Sequence, residues 1–174
     1  MASQPPNIMG SDSIRSLGPF QKNYNFSVIL PDIGGFNGIT VGMLAQQVNV
    51  GDYTIGQIDL KIGSLQGWFA GLMSTPQFRI DFLVDSSNML SNYFAAWKLL
   101  IVDANGLYFP KSNYSKSIFV RCLNVDESVS SQLECVGSWP YQYAFYQFSS
   151  RENSITKTPI VFKFDKLNFT DYSL

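Results

Sequence analysis

The sequence predicts a mainly β protein: an antiparallel β-barrel or sandwich of about 6–8 strands, with one flanking α-helix and a protruding glycine-rich hairpin. Three observations carry this expectation. Most apolar residues fall into short runs of period two, the signature of half-buried strands. A single stretch shows helical spacing. Between residues 36 and 75 the chain is punctuated by glycines at 38, 42, 51, 56, 63, 67 and 71, with no clean apolar face.

The elements follow in order. Residues 1–22 are rich in Ser, Pro, Asn and Gly and read as a flexible N-terminal arm, with residues 23–174 as a single domain. From Tyr24 to Leu30, Tyr24, Phe26, Val28 and Leu30 share one face of a strand, which Pro31-Asp32-Ile33-Gly34-Gly35 then ends. Strand-like pieces at Gln47–Val50 and Tyr53–Leu60 lie inside the glycine-punctuated region, which reads either as a long hairpin or as a loop that gains its burial from another subunit; a protruding hairpin is the expectation taken. After Pro76, Phe78, Ile80, Phe82 and Val84 alternate with Arg79, Asp81, Leu83 and Asp85, giving an apolar and a mostly charged face. Ser86 or Ser87 is the expected N-cap of a helix. Along that helix Met89, Leu90, Tyr93, Phe94, Trp97, Leu100 and Ile101 form one apolar stripe, and Asp103-Ala104-Asn105-Gly106 supplies its stop. Strands are then expected at Ser117–Leu123, at Gln132–Val136 and, closing the domain, at Pro159–Leu167.

Composition excludes several kinds of function. Charged residues make up only 14% of the 174, against roughly 25% in an average soluble domain. Hydrophobic residues at 45% argue against disorder, and so few charges argue against a fully wetted monomer. A net charge of -1 counts against a nucleic-acid binder. With no histidine, no imidazole base or His-containing zinc site exists. No metal or cofactor is expected, and no enzymatic activity. The N-terminus lacks the pattern of a signal peptide, and no apolar run is long enough for a membrane span, so a reducing cytoplasm is the expected setting.

Each chemical candidate has a plainer reading. Asp81 with Asp85, or Asp165 with Asp171, offer carboxylate pairs of the glycosidase kind, but Asp81 and Asp85 fall on the wet face of a strand. Cys122 and Cys135 lie on neighbouring strands and are read as buried thiols rather than a bridge. The aromatics Tyr141, Tyr143, Phe145, Tyr146 and Phe148 form a stacking platform only with a basic groove. None is present before Arg151, so core or interface packing is expected of them.

The order of motifs resembles a known family. The strand Phe26–Leu30 leads through the glycine-rich region to the strand Phe78–Asp85, which runs into Tyr93-Phe94-Ala95-Ala96-Trp97. A loop with Tyr108 and Tyr114 precedes the strand Ile118–Leu123. Last come Cys135-Val136-Gly137-Ser138-Trp139-Pro140 and the closing Ile160-Val161-Phe162-Lys163-Phe164-Asp165. Over residues 23–168 this is similar to the tail tube proteins of contractile-tailed bacteriophages, and to baseplate tube-initiator and type VI secretion tube proteins. The resemblance implies a structural subunit forming stacked hexameric rings in the virion's tail, assembled in the host cytoplasm. It also implies sheath, baseplate and terminator proteins as partners, and a lumen that passes DNA without binding it specifically. The hairpin, with Trp68 and Phe69 at its far end, would reach a neighbouring subunit. Tyr53, Ile55, Trp68, Phe69 and Leu72 are the expected inter-subunit contacts. Low charge fits such packing, since charged residues are depleted at interface cores.

Overall fold

The computed structural model describes residues 25–51, 55–62, 65–73, 76–124, 126–143 and 156–172; the arm 1–22 lies outside these. Its strands are β1 (Phe26–Ile29), β2 (Ala45–Val50), β3 (Ile55–Ile62), β4 (Leu65–Met73), β5 (Gln77–Leu83), β6 (Lys116–Leu123), β7 (Val129–Tyr143), β8 (Lys157–Lys163) and β9 (Lys166–Asp171). Three helices accompany them: α1 (Gly38–Gly42), α2 (Met89–Ile101) and α3 (Lys111–Tyr114). Seven strands form one antiparallel sheet in the order β1-β6-β7-β8-β5-β2, with β9 also on β7, and β3 and β4 form a second sheet of their own.

The long strand β7 organises the sandwich. Its first part pairs with β6 on one side and, over Ser131–Val136, with β9 on the other. From Trp139 onward it pairs with β8 instead. β8 and β9 therefore run consecutively along β7, and both turn together where Gly137 meets Asp165. At that corner the ladder passes from the β1-β6-β7-β9 layer to the β7-β8-β5-β2 layer. The single closing strand expected over Pro159–Leu167 is thus two strands, broken at Phe164-Asp165. The expected Gln132–Val136 strand extends through Pro140. β6 begins opposite Ser138, so among the described residues β7 carries a partner on one side only beyond that point, where a proline is tolerated.

The alternation in β5 works as expected: Phe78, Ile80 and Phe82 are buried. They meet the inward residues of β8, with Phe78 opposite Phe162 and Ile80 opposite Ile160; the Phe78 and Phe162 rings stack at 4.9 Å. The helix α2 lays Leu90, Tyr93, Phe94 and Trp97 onto this layer, with Trp97 6.0 Å from Phe162 between ring centres. Each large apolar side chain buried this way contributes roughly 1.5–3 kcal/mol. The two polar atoms carried inward are satisfied. Tyr93 Oη donates to the Pro31 carbonyl at 2.7 Å, and Trp97 Nε1 to the Tyr114 carbonyl at 2.9 Å. Burial first, and the charge of Asp32 second, push the Tyr93 phenol well above its ordinary range.

Two expectations change at the helices. Neither Ser86 nor Ser87 caps α2. The N-cap position is Asn88, at φ 57 and without a side-chain capping bond, and the Asp85 carboxylate accepts from the Met89 and Leu90 amides at 2.9 and 3.2 Å. The left-handed Asn88 turns the chain so that Asp85, two residues beyond β5, lands over the helix's free N–H groups. The glycine-punctuated region also divides. Gly38 and Gly42 are not hairpin residues: they bring α1 against β1, where a Cβ would fall 2.0 Å from the Leu30 and Val28 carbonyl oxygens respectively. β2 joins the main sheet beside β5. Only β3 and β4 remain as the hairpin.

Candidate assembly surface

The hairpin β3–β4 pairs Ile58 with Phe69, Asp59 with Trp68 and Leu60 with Gly67. Because side chains alternate across a strand, Ile58, Leu60 and Phe69 share one face and Gln57, Asp59, Lys61, Gln66 and Trp68 the other. On the first face glycines make room: the Phe69 ring lies over Gly67, and Gly71 sits beside Ile58. On the second, Gln57 Nε2 donates to Asp59 Oδ1 at 2.5 Å.

Neither face is covered by the rest of the described chain. Trp68 is 65% exposed, Phe69 58%, Ile58 54% and Leu72 92%. Scattered exposed apolar residues are ordinary, but a contiguous set on an isolated hairpin marks an interaction surface. Of the residues expected at contacts, Ile55, Trp68, Phe69 and Leu72 all lie exposed on this hairpin, and Tyr53 falls outside the described residues. One detail differs from expectation. Trp68 and Phe69 are not at the far end, since the pairs Lys61–Gln66 and Ile62–Leu65 lie beyond them. They stand in mid-strand on opposite faces, so one contact cannot cover both rings.

A second exposed apolar run was not among the expected contacts, although its loop was noted for Tyr108: Leu107, Tyr108 and Phe109, after the end of α2. Its signal was an apolar run after the Asp103–Gly106 turn with neither helical nor strand period. Position gives it meaning. Phe164 N–H reaches the Pro76 carbonyl at the root of the hairpin, and the adjacent Asp165 pairs with Lys111, just past this loop. The patch therefore lies at the end of the sandwich from which the hairpin departs.

The chemical candidates are occupied in structural work. Asp81 is bound by Arg79 at 2.6 Å and Asp85 caps α2, while Asp165 and Asp171 stand at opposite ends of β9. Burial alone would raise the Asp85 carboxyl. The Ser87 hydroxyl and the Met89 and Leu90 amides outweigh it and hold that carboxyl below its ordinary range. Cys122 and Cys135 are free. Cys122 faces Ser131 and Cys135 faces Ile118, an offset of roughly 13 Å along the ladder, beyond the reach of a disulfide. Tyr143 packs on Phe94 at 6.2 Å, and Tyr141 lies exposed under the Lys163 ammonium at 3.9 Å; Phe145, Tyr146 and Phe148 lie outside the described residues. No group of three potential metal ligands occurs among the described residues, and no described helix is long and apolar enough to cross a membrane.

Polar side chains of β6, β7 and β9 bond across the sheet. Glu134 accepts from Ser117 at 3.0 Å and from Asn168 at 3.1 Å, and Arg121 donates to Gln132 at 2.8 Å. Polar side chains are thereby tied across strands.

No protein-family model and no curated protein sequence matches the chain. Solved structures do match its fold. The tube-terminating cap of the anti-feeding prophage aligns at TM-score 0.67 and 16% identity, over 88% of this chain and 93% of that one. A chain from the sheath–tube complex of an extracellular contractile injection system, in its extended state, aligns at 0.63 and 13% identity, over 94% and 99%. One from the sheath/tube terminator of that system aligns at 0.66 and 14%, over 88% and 97%. The chain shares, almost end to end, the fold of proteins in the tubes and caps of contractile injection systems.

Proposed function

We propose that this protein is a structural subunit that assembles with copies of itself into a tube of the contractile-tail type. The observation that carries the proposal is the β3–β4 hairpin, with apolar side chains exposed on both faces and no strand partner outside itself among the described residues, on a body whose fold is that of tube and cap proteins. An isolated two-stranded hairpin is marginal in water. A neighbouring copy supplies the cover that its own chain does not.

The finer form of the proposal is a hexameric ring, stacked into a phage tail tube within a sheath and above a baseplate, through whose lumen DNA leaves the virion. The low charge content supports it, because a wall with few cations does not hold phosphate. Purified protein examined by negative-stain microscopy and mass photometry is expected to form rings and long hollow tubes. Rings that never stack would assign it to the end of a tube as a terminator or initiator. A protein that stays monomeric at every concentration, alone and with sheath protein, would overturn the proposal.

A further inference from the structure

Among the described residues the main sheet does not close on itself, and its opening is shaped. β1 and β2 are its two ends. α1 lies against the Val28 and Leu30 carbonyls through Gly42 and Gly38. A groove of about 550 Å³ is left between β1 and β2. Phe26, Val48, Val120, Cys122 and Leu133 make it apolar, and Asn25, Gln46 and Asn49 add uncharged polar groups. Among the described residues β2 pairs only with β5, so its other edge offers backbone donors and acceptors to an incoming strand.

The chain itself points to an occupant. Residues 1–24 lie outside the described structure, and the first described residue, Asn25, lines the groove. The stretch Gln46–Val50 spans roughly 16 Å when extended, which five or six residues fill. The preceding segment has ample length. It carries Ile14, Leu17 and Phe20 among mostly uncharged polar residues, with Asp12, Arg15 and Lys22 its only charged side chains. That composition suits an apolar floor with Asn and Gln beside it.

We propose that the N-terminal segment of each subunit occupies the groove of its own body, adding along the free edge of β2 with Phe20 seated over Val48, Val120 and Leu133. This does not depend on the tube proposal. It concerns how a single subunit closes its own sandwich.

Cys122, in the groove, is the reporter. The other thiol, Cys135, is buried, and burial with the neighbouring Glu134 charge pushes it up to about 12, so it stays silent at neutral pH. The experiment compares N-ethylmaleimide labelling of the full-length protein with that of the full-length Phe20→Ser variant, located by peptide mass. The variant is expected to label Cys122 about tenfold faster at an unchanged Tm, because the segment leaves the groove while the body stays folded. Equal rates would overturn the proposal. Protection that appears only as protein concentration rises would also overturn it, assigning the groove to a second copy. Hydrogen exchange in the unmodified protein is the second readout. The β2 amides that do not face β5 should exchange slowly in dilute solution, and open-edge rates there would contradict a seated segment.

Discussion

Gly137 lies directly beneath the carboxylate of Asp165. A side chain at Gly137 would place its Cβ 2.3 Å from Asp165 Oδ2 and 2.8 Å from Cγ, and its φ of +73 is one that L side chains rarely adopt. The Asp165 amide donates to the Val136 carbonyl at 2.9 Å, and its carboxylate pairs with Lys111. The corner of the sandwich, the end of β8 and the start of α3 therefore meet at one contact.

Gly137→Ala is accordingly expected to lose about 2 kcal/mol or more, from backbone strain and overlap together, read as a lower midpoint in urea unfolding. Asp165→Ala alone should cost less than about 1 kcal/mol, because its ion pair with Lys111 is solvent-exposed. Combining the two should restore part of the glycine loss, a coupling of at least about 0.5 kcal/mol. Strict additivity would show that the two residues do not interact.

Asp85 holds the start of α2. Asp85→Ala should lower stability by about 0.5–2 kcal/mol, the range of a lost helix cap. The sign with pH follows from the hydrogen bonds. They favour the carboxylate, so the folded pKa lies below the unfolded one. The contribution is complete above the ordinary carboxyl range, about pH 4, and fades as pH falls through the lower folded value. The gap between wild type and variant should therefore be constant near neutrality and shrink in acid. A gap that widens in acid would contradict this assignment.

Thr158 faces Phe82 across the β5–β8 ladder. It is 4% exposed, and its hydroxyl has no hydrogen-bond partner among the described residues. A buried hydroxyl without a partner costs about 1–3 kcal/mol. Thr158→Val, equal in shape, is expected to raise Tm. A fall would show that a group outside the described residues satisfies it.

The two faces of the hairpin can be tested apart. Ile58→Ser with Phe69→Ser removes the apolar face and is expected to abolish rings and tubes while leaving the far-UV spectrum and Tm unchanged, since both side chains are more than half exposed. Trp68→Ser strikes the polar face alone and should weaken assembly less. Loss of folding in either variant would place these residues in a core, not an interface.

Much of the fold was legible because local patterns decided it. Phe78, Ile80 and Phe82 alternate strictly, and Leu90, Tyr93, Phe94 and Trp97 repeat at helical spacing, so each stretch could bury its apolar side in one way only. The exposed hairpin was legible for the opposite reason, as apolar residues without a face to bury them. What stayed hidden depended on neighbours remote in sequence. Gly38 and Gly42 look like Gly67 and Gly71 in the chain, yet the first pair admits a helix against β1 and the second shapes a hairpin face. Asp85 reads as a solvent-facing strand residue until Asn88 turns the helix beneath it.

The sequence by itself determined a mainly β domain with one substantial helix, few charges and an uncovered glycine-rich segment, because period and composition are local quantities. Only the tertiary structure decided that the chain turns a corner at Gly137 and Asp165, that Trp68 and Phe69 point apart, and that a groove opens between β1 and β2. Each depends on strand register and on which backbones approach, and those are settled by the packing of segments far apart in the chain.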